Sequence, residues 1–194
     1  LSATCKGCGA SSTYSRFKKV VAQAVSEGIL KNNPCVEAKC HCIGTERVKD
    51  ILSEHEIHLM LKTCIGSGNT EIRKAFIFSL YTGLRFGDII NVRYSNIDRS
   101  NKLLSIIQSK TQEYVYIPLR DDILKLTVSN LNYNGPDQKV FRLPTHPTCM
   151  KELHKWTEEI GISKHITWHC ARHTFASNIL MNGADVRRVR IKSG

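Results

Sequence analysis

The chain has 194 residues, a formal net charge of +11 and an isoelectric point of about 9.4. Apolar residues make up 41% of it and charged residues 23%, which is ordinary globular composition and excludes a disordered or collagen-like chain. Its apolar runs are shorter than the about 20 residues that span a bilayer, so we expect no membrane partner. A strongly basic protein of this kind most often binds nucleic acid.

The first predicted helix covers residues 12–27, because Tyr14, Phe17 and Val21 share one face at helical spacing and Gly28 follows. Residues 31–45, which are rich in Asn, Cys and Gly, predict a linker.

A second region is predicted to begin near Glu46. Ser53 and Glu56 form a predicted capping box, which starts a helix toward Cys64. Periodicity and breaker residues then predict helices at 70–81, at 85–92, from 121, at 150–160, from a Thr167 cap to 182, and from 185.

Two segments rich in β-branched and aromatic residues, 103–108 and 114–119, flank the polar residues 109–113. This pattern predicts a β-hairpin. The predicted fold class is therefore mainly α with a small antiparallel β-sheet, an α+β arrangement.

Eight cysteines occur in the chain, and we interpret them as free thiols in a reducing, cytoplasmic compartment, because the sequence shows no export signal. Cys64 and Cys170 lie among apolar helical residues and are predicted to be small buried side chains. A zinc site is the alternative for a group of four others, although the spacing of Cys40 and Cys42 is tighter than zinc sites usually have. The members of that group are Cys5, Cys8, Cys40 and Cys42.

Three segments place a cation beside a structural break. Arg85 lies between two glycines, Lys110 lies at the predicted hairpin tip, and His169 and Arg172 are three residues apart, on one face of a helix. Two arginines, a lysine and a histidine that converge suit a phosphate, because arginine makes bidentate bonds to its oxygens and lysine or histidine transfers a proton. Such a set needs no metal or other cofactor.

The same segments resemble the marks of the tyrosine recombinases, also called phage-type integrases. They are residues 80–88 (LYTGLRFGD), residues 108–111 (QSKT), and the His-x-x-Arg box HCAR at 169–172, followed by HTFA. Their order and separations are similar to those of the family. The resemblance extends from about Tyr14 to Gly194, so the fold is identified as that family's catalytic domain.

The resemblance implies that a tyrosine cuts one strand of double-stranded DNA, forms a 3′-phosphotyrosyl link and frees a 5′ hydroxyl. It implies that Arg85 and Arg172 clamp the scissile phosphate. It implies that Lys110 protonates the departing 5′ oxygen and that His169 assists proton transfer.

Two further residues are expected to support this set: Asp88 as a brace and His173 as a side chain packed behind the site. The resemblance implies no cofactor and no metal. The implied partners are double-stranded DNA and, for a full-length protein, a homotetramer on paired DNA sites.

The family places its nucleophilic tyrosine downstream of the second arginine, whereas all six tyrosines of this sequence precede it. We therefore interpret residues 1–44 as the last helix of a core-binding domain with a linker, and 45–194 as a catalytic domain truncated before the tyrosine. The predicted function is DNA integration or site-specific recombination. The alternatives are a catalytically incomplete fragment that binds DNA and a cysteine-rich zinc module.

Overall fold

A computed structural model describes residues 8–36, 38, 50–65, 68–127 and 135–183. The chain divides into two compact units, Leu1–Val48 and Lys49–Gly194. The predicted domain boundary after residue 44 and the predicted helix from 185 lie outside the described residues. The domain assignments therefore stay predictions.

Helix α1, Cys8–Ser26, is the main element of the first unit. It begins four residues before the predicted start, and Ala10, one turn before Tyr14, is buried. After the helix, Gly28 adopts a left-handed conformation with φ of 74°. The Tyr14 hydroxyl donates a 2.6 Å hydrogen bond to the carbonyl of Ala38.

The second unit is helical apart from one small sheet. Its described helices are α2 Glu54–Thr63, α3 Thr70–Thr82, α4 Phe86–Ile89, α5 Asp121–Leu126, α6 His146–Glu159 and α7 Trp168–Met181, with a 3-10 turn at Tyr94–Asn96. Its strands are β1 Ile97–Asp98, β2 Leu103–Ile107 and β3 Tyr114–Pro118, which pair antiparallel in that order. The predicted fold class is confirmed.

Helix α3 lies at the centre of the core. Its Phe76 meets the ring of Trp156 on α6 edge-on at 6.4 Å between centroids, and that of Trp168 on α7 at 5.5 Å. All three side chains are fully or almost fully buried. The two tryptophans therefore fix α6 and α7 against α3, which positions the N-terminus of α7.

The second unit differs from the sequence prediction at three places. Helix α4 is only four residues long, because Arg85 is still extended (φ −73°, ψ 156°) and the chain turns after Ile89. Helix α6 begins a turn earlier than predicted, with a proline in its first turn, where a missing N–H costs nothing. The two-residue strand β1 was not predicted, since it is too short to show alternation.

Four cysteines are buried free thiols: Cys35, Cys64, Cys149 and Cys170. This confirms the prediction for Cys64 and Cys170. Cys5, Cys40 and Cys42 lie outside the described residues, so the zinc alternative stays untested. Within the described ranges, no helix has both the length and the apolar character needed to cross a bilayer.

The predicted capping box at the start of α2 is confirmed. Ser53 Oγ accepts from the N–H of Glu56 at 3.2 Å, and the Glu56 carboxylate accepts from the N–H of Ser53 at 2.6 Å and from Lys164 Nζ at 2.7 Å. Burial alone raises the pKa of Glu56, but the bonds from Lys164 and Ser53 outweigh it and leave the pKa below its usual value.

Replacing Glu56 with glutamine should therefore lower the free energy of unfolding at pH 7 by about 0.5–1 kcal/mol, because glutamine can still close the capping box but loses the ion pair with Lys164. A carboxylate with a depressed folded pKa stabilises the fold above its unfolded pKa of about 4.3 and loses that effect as the pH falls through the folded value. The deficit should therefore shrink steadily in urea unfolding as the pH falls below the unfolded pKa. Glu54→Gln, an exposed neighbour on the same turn, is the control. A Glu56→Gln deficit independent of pH would contradict the ion-pair explanation.

Candidate active site

The turn between α3 and α4 presents Arg85. Helix α3 ends at Gly83, whose φ of 66° is left-handed and whose N–H donates to the carbonyl of Ser79 at 2.8 Å. A Cβ at Gly83 would lie 2.3 Å from the ring of Phe175 on α7, so only glycine permits this close approach. Arg85 then occupies the N-cap position of α4 in extended conformation.

Arg172 reaches the same turn from α7. Its Nη1 donates a 2.5 Å hydrogen bond to the carbonyl of Gly83, whereas its buried Nη2 has no hydrogen-bond partner within the described part of the chain. Burial, and then the positive charge of Arg85, lower the pKa of Arg172 to about 10, and Asp88 acts in the opposite direction. The two guanidinium groups are therefore near enough to repel each other, and an anion between them would relieve that repulsion.

Asp88 ties the hairpin to α4. Its side chain is buried, with the residue only 4% exposed, and its Oδ1 accepts the N–H of Ser109 at 2.9 Å. The other oxygen, Oδ2, is buried, and no described residue bonds to it. This position is consistent with the predicted role of a brace.

The turn of the hairpin carries Lys110, as predicted. Gln108 Oε1 accepts from Arg85 Nη1 at 3.3 Å, so the residue that follows β2 contacts the arginine directly. Lys110 itself is exposed, two residues farther along the turn. The hairpin base is thus fixed beside the arginines, and the lysine extends from it.

His169 and His173 lie on α7. Thr167 is the N-cap residue of the helix, as predicted, and the adjacent Trp168 packs against Phe86 of α4 with ring centroids 4.9 Å apart. His169 is exposed in the first turn, and its ring centroid lies 6.5 Å from that of the half-buried His173.

The structure therefore brings Arg85, Arg172, Asp88 and the base of the hairpin together. Lys110 and His169 stand exposed on the two elements that flank the arginine pair. Two participants were not predicted. One is the backbone carbonyl of Gly83, which cannot be predicted from residue types because every residue has a carbonyl. The other is Gln108, which was part of a recognised motif but had no assigned role.

Comparison with known proteins identifies the chain. Residues 50–194 match the model of the phage integrase family. The chain belongs to this family. Curated integrase relatives include a tyrosine recombinase of Thermosipho africanus (strain TCF52B), 25% identical over 171 residues. Another is the tyrosine recombinase XerD of Oceanobacillus iheyensis (strain DSM 14371 / CIP 107618 / JCM 11309 / KCTC 3954 / HTE831), 28% identical over 180 residues.

The alignments cover 84% and 86% of this integrase-family chain, but 59% and 60% of the relatives. The chain thus spans somewhat more than half the length of these curated relatives.

Solved structures share the fold. The Tn1549 transposon integrase in complex with a circular intermediate DNA gives a TM-score of 0.72 at 14% identity, covering 89% of this chain and 67% of that one. A lambda integrase dimer bound to a COC' core site gives a TM-score of 0.67 at 18% identity, covering 93% of this chain and 68% of that one. The fold predicted from the motifs is confirmed as that of integrase catalytic domains.

Proposed function

We propose that this chain carries the catalytic centre of a tyrosine recombinase, which breaks and rejoins DNA strands in integration or site-specific recombination. The observation that carries the proposal is the arginine pair. Arg172 bonds to the carbonyl of Gly83, two residues before Arg85, and its Nη2 has no hydrogen-bond partner among the described residues. Burial and the charge of Arg85 both lower the pKa of Arg172. A phosphodiester supplies both the negative charge and the acceptor oxygen that this arrangement lacks.

In the proposed reaction, a tyrosine oxygen attacks the scissile phosphorus and the bond to the 5′ oxygen breaks. Arg85 and Arg172 bind the non-bridging oxygens, whose negative charge the transition state must accommodate. Lys110 gives its proton to the departing 5′ oxygen, and His169 assists proton transfer. Asp88 holds the hairpin through Ser109. Rejoining reverses these steps, with Lys110 as the base.

Double-stranded DNA is the proposed partner. The net charge of +11 supports it, because phosphate contacts dominate the affinity of proteins for DNA. The related transposon and lambda integrases were solved with DNA bound. A homotetramer on paired sites is the proposed assembly of the whole protein.

The finer proposal concerns the nucleophile. The six tyrosines of these 194 residues all precede His169 in the sequence. We therefore expect the 194-residue polypeptide to form no covalent DNA adduct, because a nucleophile must lie within reach of the phosphorus. A protein–DNA adduct detected on a denaturing gel would contradict this and identify one of the six as the nucleophile.

The rejoining half of the reaction tests the centre without a tyrosine. A DNA sequence that the chain binds is first selected from a random-sequence pool. The substrate is a nicked duplex of that sequence, with a 3′ p-nitrophenyl phosphate beside a 5′ hydroxyl at the nick. The nitrophenolate takes the place of the tyrosine: the 5′ oxygen attacks phosphorus, its proton passes to Lys110, and nitrophenolate leaves as an anion.

We expect the chain to accelerate nitrophenolate release and to yield the joined strand. Absorbance follows the released anion, and a denaturing gel follows the joined strand, with the nicked duplex alone as background. If the chain binds the duplex but nitrophenolate is released only at the background rate, the proposal is contradicted. That result would favour the alternative, a fragment that binds DNA without catalysis.

A further inference from the structure

Gln108 connects two parts of the proposed centre. It follows β2, and its half-buried side-chain oxygen accepts from Arg85 Nη1 at 3.3 Å and from Thr111 Oγ1 at 3.3 Å. One acceptor atom therefore contacts both an arginine of the phosphate site and the turn residue next to Lys110. Arg85 and Gln108 are 23 positions apart in sequence.

The backbone of Gln108 also closes the turn that carries Lys110. Its N–H donates to the carbonyl of Glu113 at 3.0 Å, and its carbonyl accepts from the N–H of Gln112 at 2.9 Å. Gln112 adopts a left-handed φ of 55°, and its side-chain amide donates to the carbonyl of Ser109 at 2.9 Å. The turn is thus closed by hydrogen bonds among its own residues, and two of them involve the backbone of Gln108.

A second bond fixes the same end of the hairpin. The N–H of Ser109 donates to the buried carboxylate of Asp88 at 2.9 Å. This contact sets the distance between the hairpin and α4. The side chain of Gln108 adds a contact to the guanidinium itself, which the backbone contact to Asp88 does not provide.

We propose that Gln108 is a positioning residue, which holds the Arg85 guanidinium in place and sets the turn of Lys110 against it. The inference rests on the proposed function. A neutral amide suits this task, because it accepts a hydrogen bond from Arg85 and leaves the positive charge for the phosphate. A carboxylate here would pair with Arg85 and compete with DNA.

Two substitutions separate position from charge in the nitrophenyl phosphate assay. Gln108→Met keeps the side-chain length and removes the acceptor, so we expect kcat to fall about tenfold with KM within about twofold. Gln108→Glu keeps an acceptor and adds a negative charge, so we expect KM to rise several-fold. Thr148→Met, at an exposed position of α6, is the control and should change neither constant.

A double-mutant cycle with Lys110 tests the connection. If Gln108 acts partly through the lysine, Gln108→Met should cost much less in a Lys110→Ala background than in the unchanged chain. A full tenfold loss in both backgrounds would show that Gln108 does not set the position of Lys110 and would overturn that part of the inference.

Amide NMR spectra of the free chain provide a signature that a general loss of stability does not. Gln108→Met should shift the signals of Thr111 and the Arg85 side chain, while those of the distant helix α6 stay in place. If the Thr111 and Arg85 signals do not shift in Gln108→Met, or if this variant keeps the kcat of the unsubstituted chain, the inference is overturned while the proposed function stands. If the unsubstituted chain does not rejoin the nicked DNA, the proposed function is contradicted, and so is the inference that rests on it.

Discussion

Arg172→Ala should slow nitrophenolate release at the nick by roughly 100-fold or more, and Arg85→Ala should have a similar effect. Each substitution removes a fixed positive charge from the place where negative charge develops on the phosphate oxygens. One preorganised donor of this kind contributes about 3–4 kcal/mol to the transition state. Arg172→Lys should recover only part of the rate, because an ammonium group lacks the two-pronged geometry of guanidinium.

An arginine outside the site provides the control for this loss. Arg142 is exposed on the segment that precedes α6, so Arg142→Ala removes the same charge and should leave kcat within about twofold. Duplex binding, measured separately, shows whether the loss lies in affinity or in the chemical step. Equal losses for Arg142, Arg85 and Arg172 would mean that net charge alone matters and would contradict the phosphate clamp.

Gly83→Ala should lower the free energy of unfolding by about 3 kcal/mol. A left-handed φ of 66° costs a residue with a Cβ about 1–2 kcal/mol. The added methyl would also lie 2.3 Å from the Phe175 ring, and such overpacking costs a further 1–3 kcal/mol or so. Urea unfolding at neutral pH measures the change.

Gly161→Ala is the matched control, since Gly161 has a similar φ of 76° but open space around its missing Cβ. It should cost only about 1 kcal/mol, so the difference between the two variants isolates the contact with Phe175. The double variant Gly83→Ala/Phe175→Ala should lose less free energy of unfolding than the two single variants lose in sum, because the ring that clashes with the new methyl is gone. Equal costs at Gly83 and Gly161 would contradict the close approach of α7.

Gly83→Ala should also reduce rejoining beyond its effect on stability. The carbonyl of Gly83 accepts from Arg172 Nη1, so a shift of this turn displaces the guanidinium from the phosphate. The rate measured well below the unfolding transition separates this effect from loss of folded protein.

The sequence by itself determined much of this protein. Apolar residues, caps and breaker residues predicted α2, α3 and α7, and the Ser53–Glu56 cap was predicted from two side chains three residues apart. These features are local, because a helix and its cap depend on residues within one turn of each other. The motifs around Arg85 and Arg172 predicted the family, which the match over residues 50–194 confirmed.

Only the tertiary structure decided how the site is built. Arg172 and Gly83 are 89 positions apart, and Asp88 and Ser109 are 21 apart, so no local pattern predicts that they bond. The strand β1 likewise exists only because Ile97 and Asp98 pair with residues of β2. Such contacts form only when elements that are distant in sequence pack together, as α7 does against the end of α3, so they depend on the tertiary fold rather than on the residues next to them in sequence.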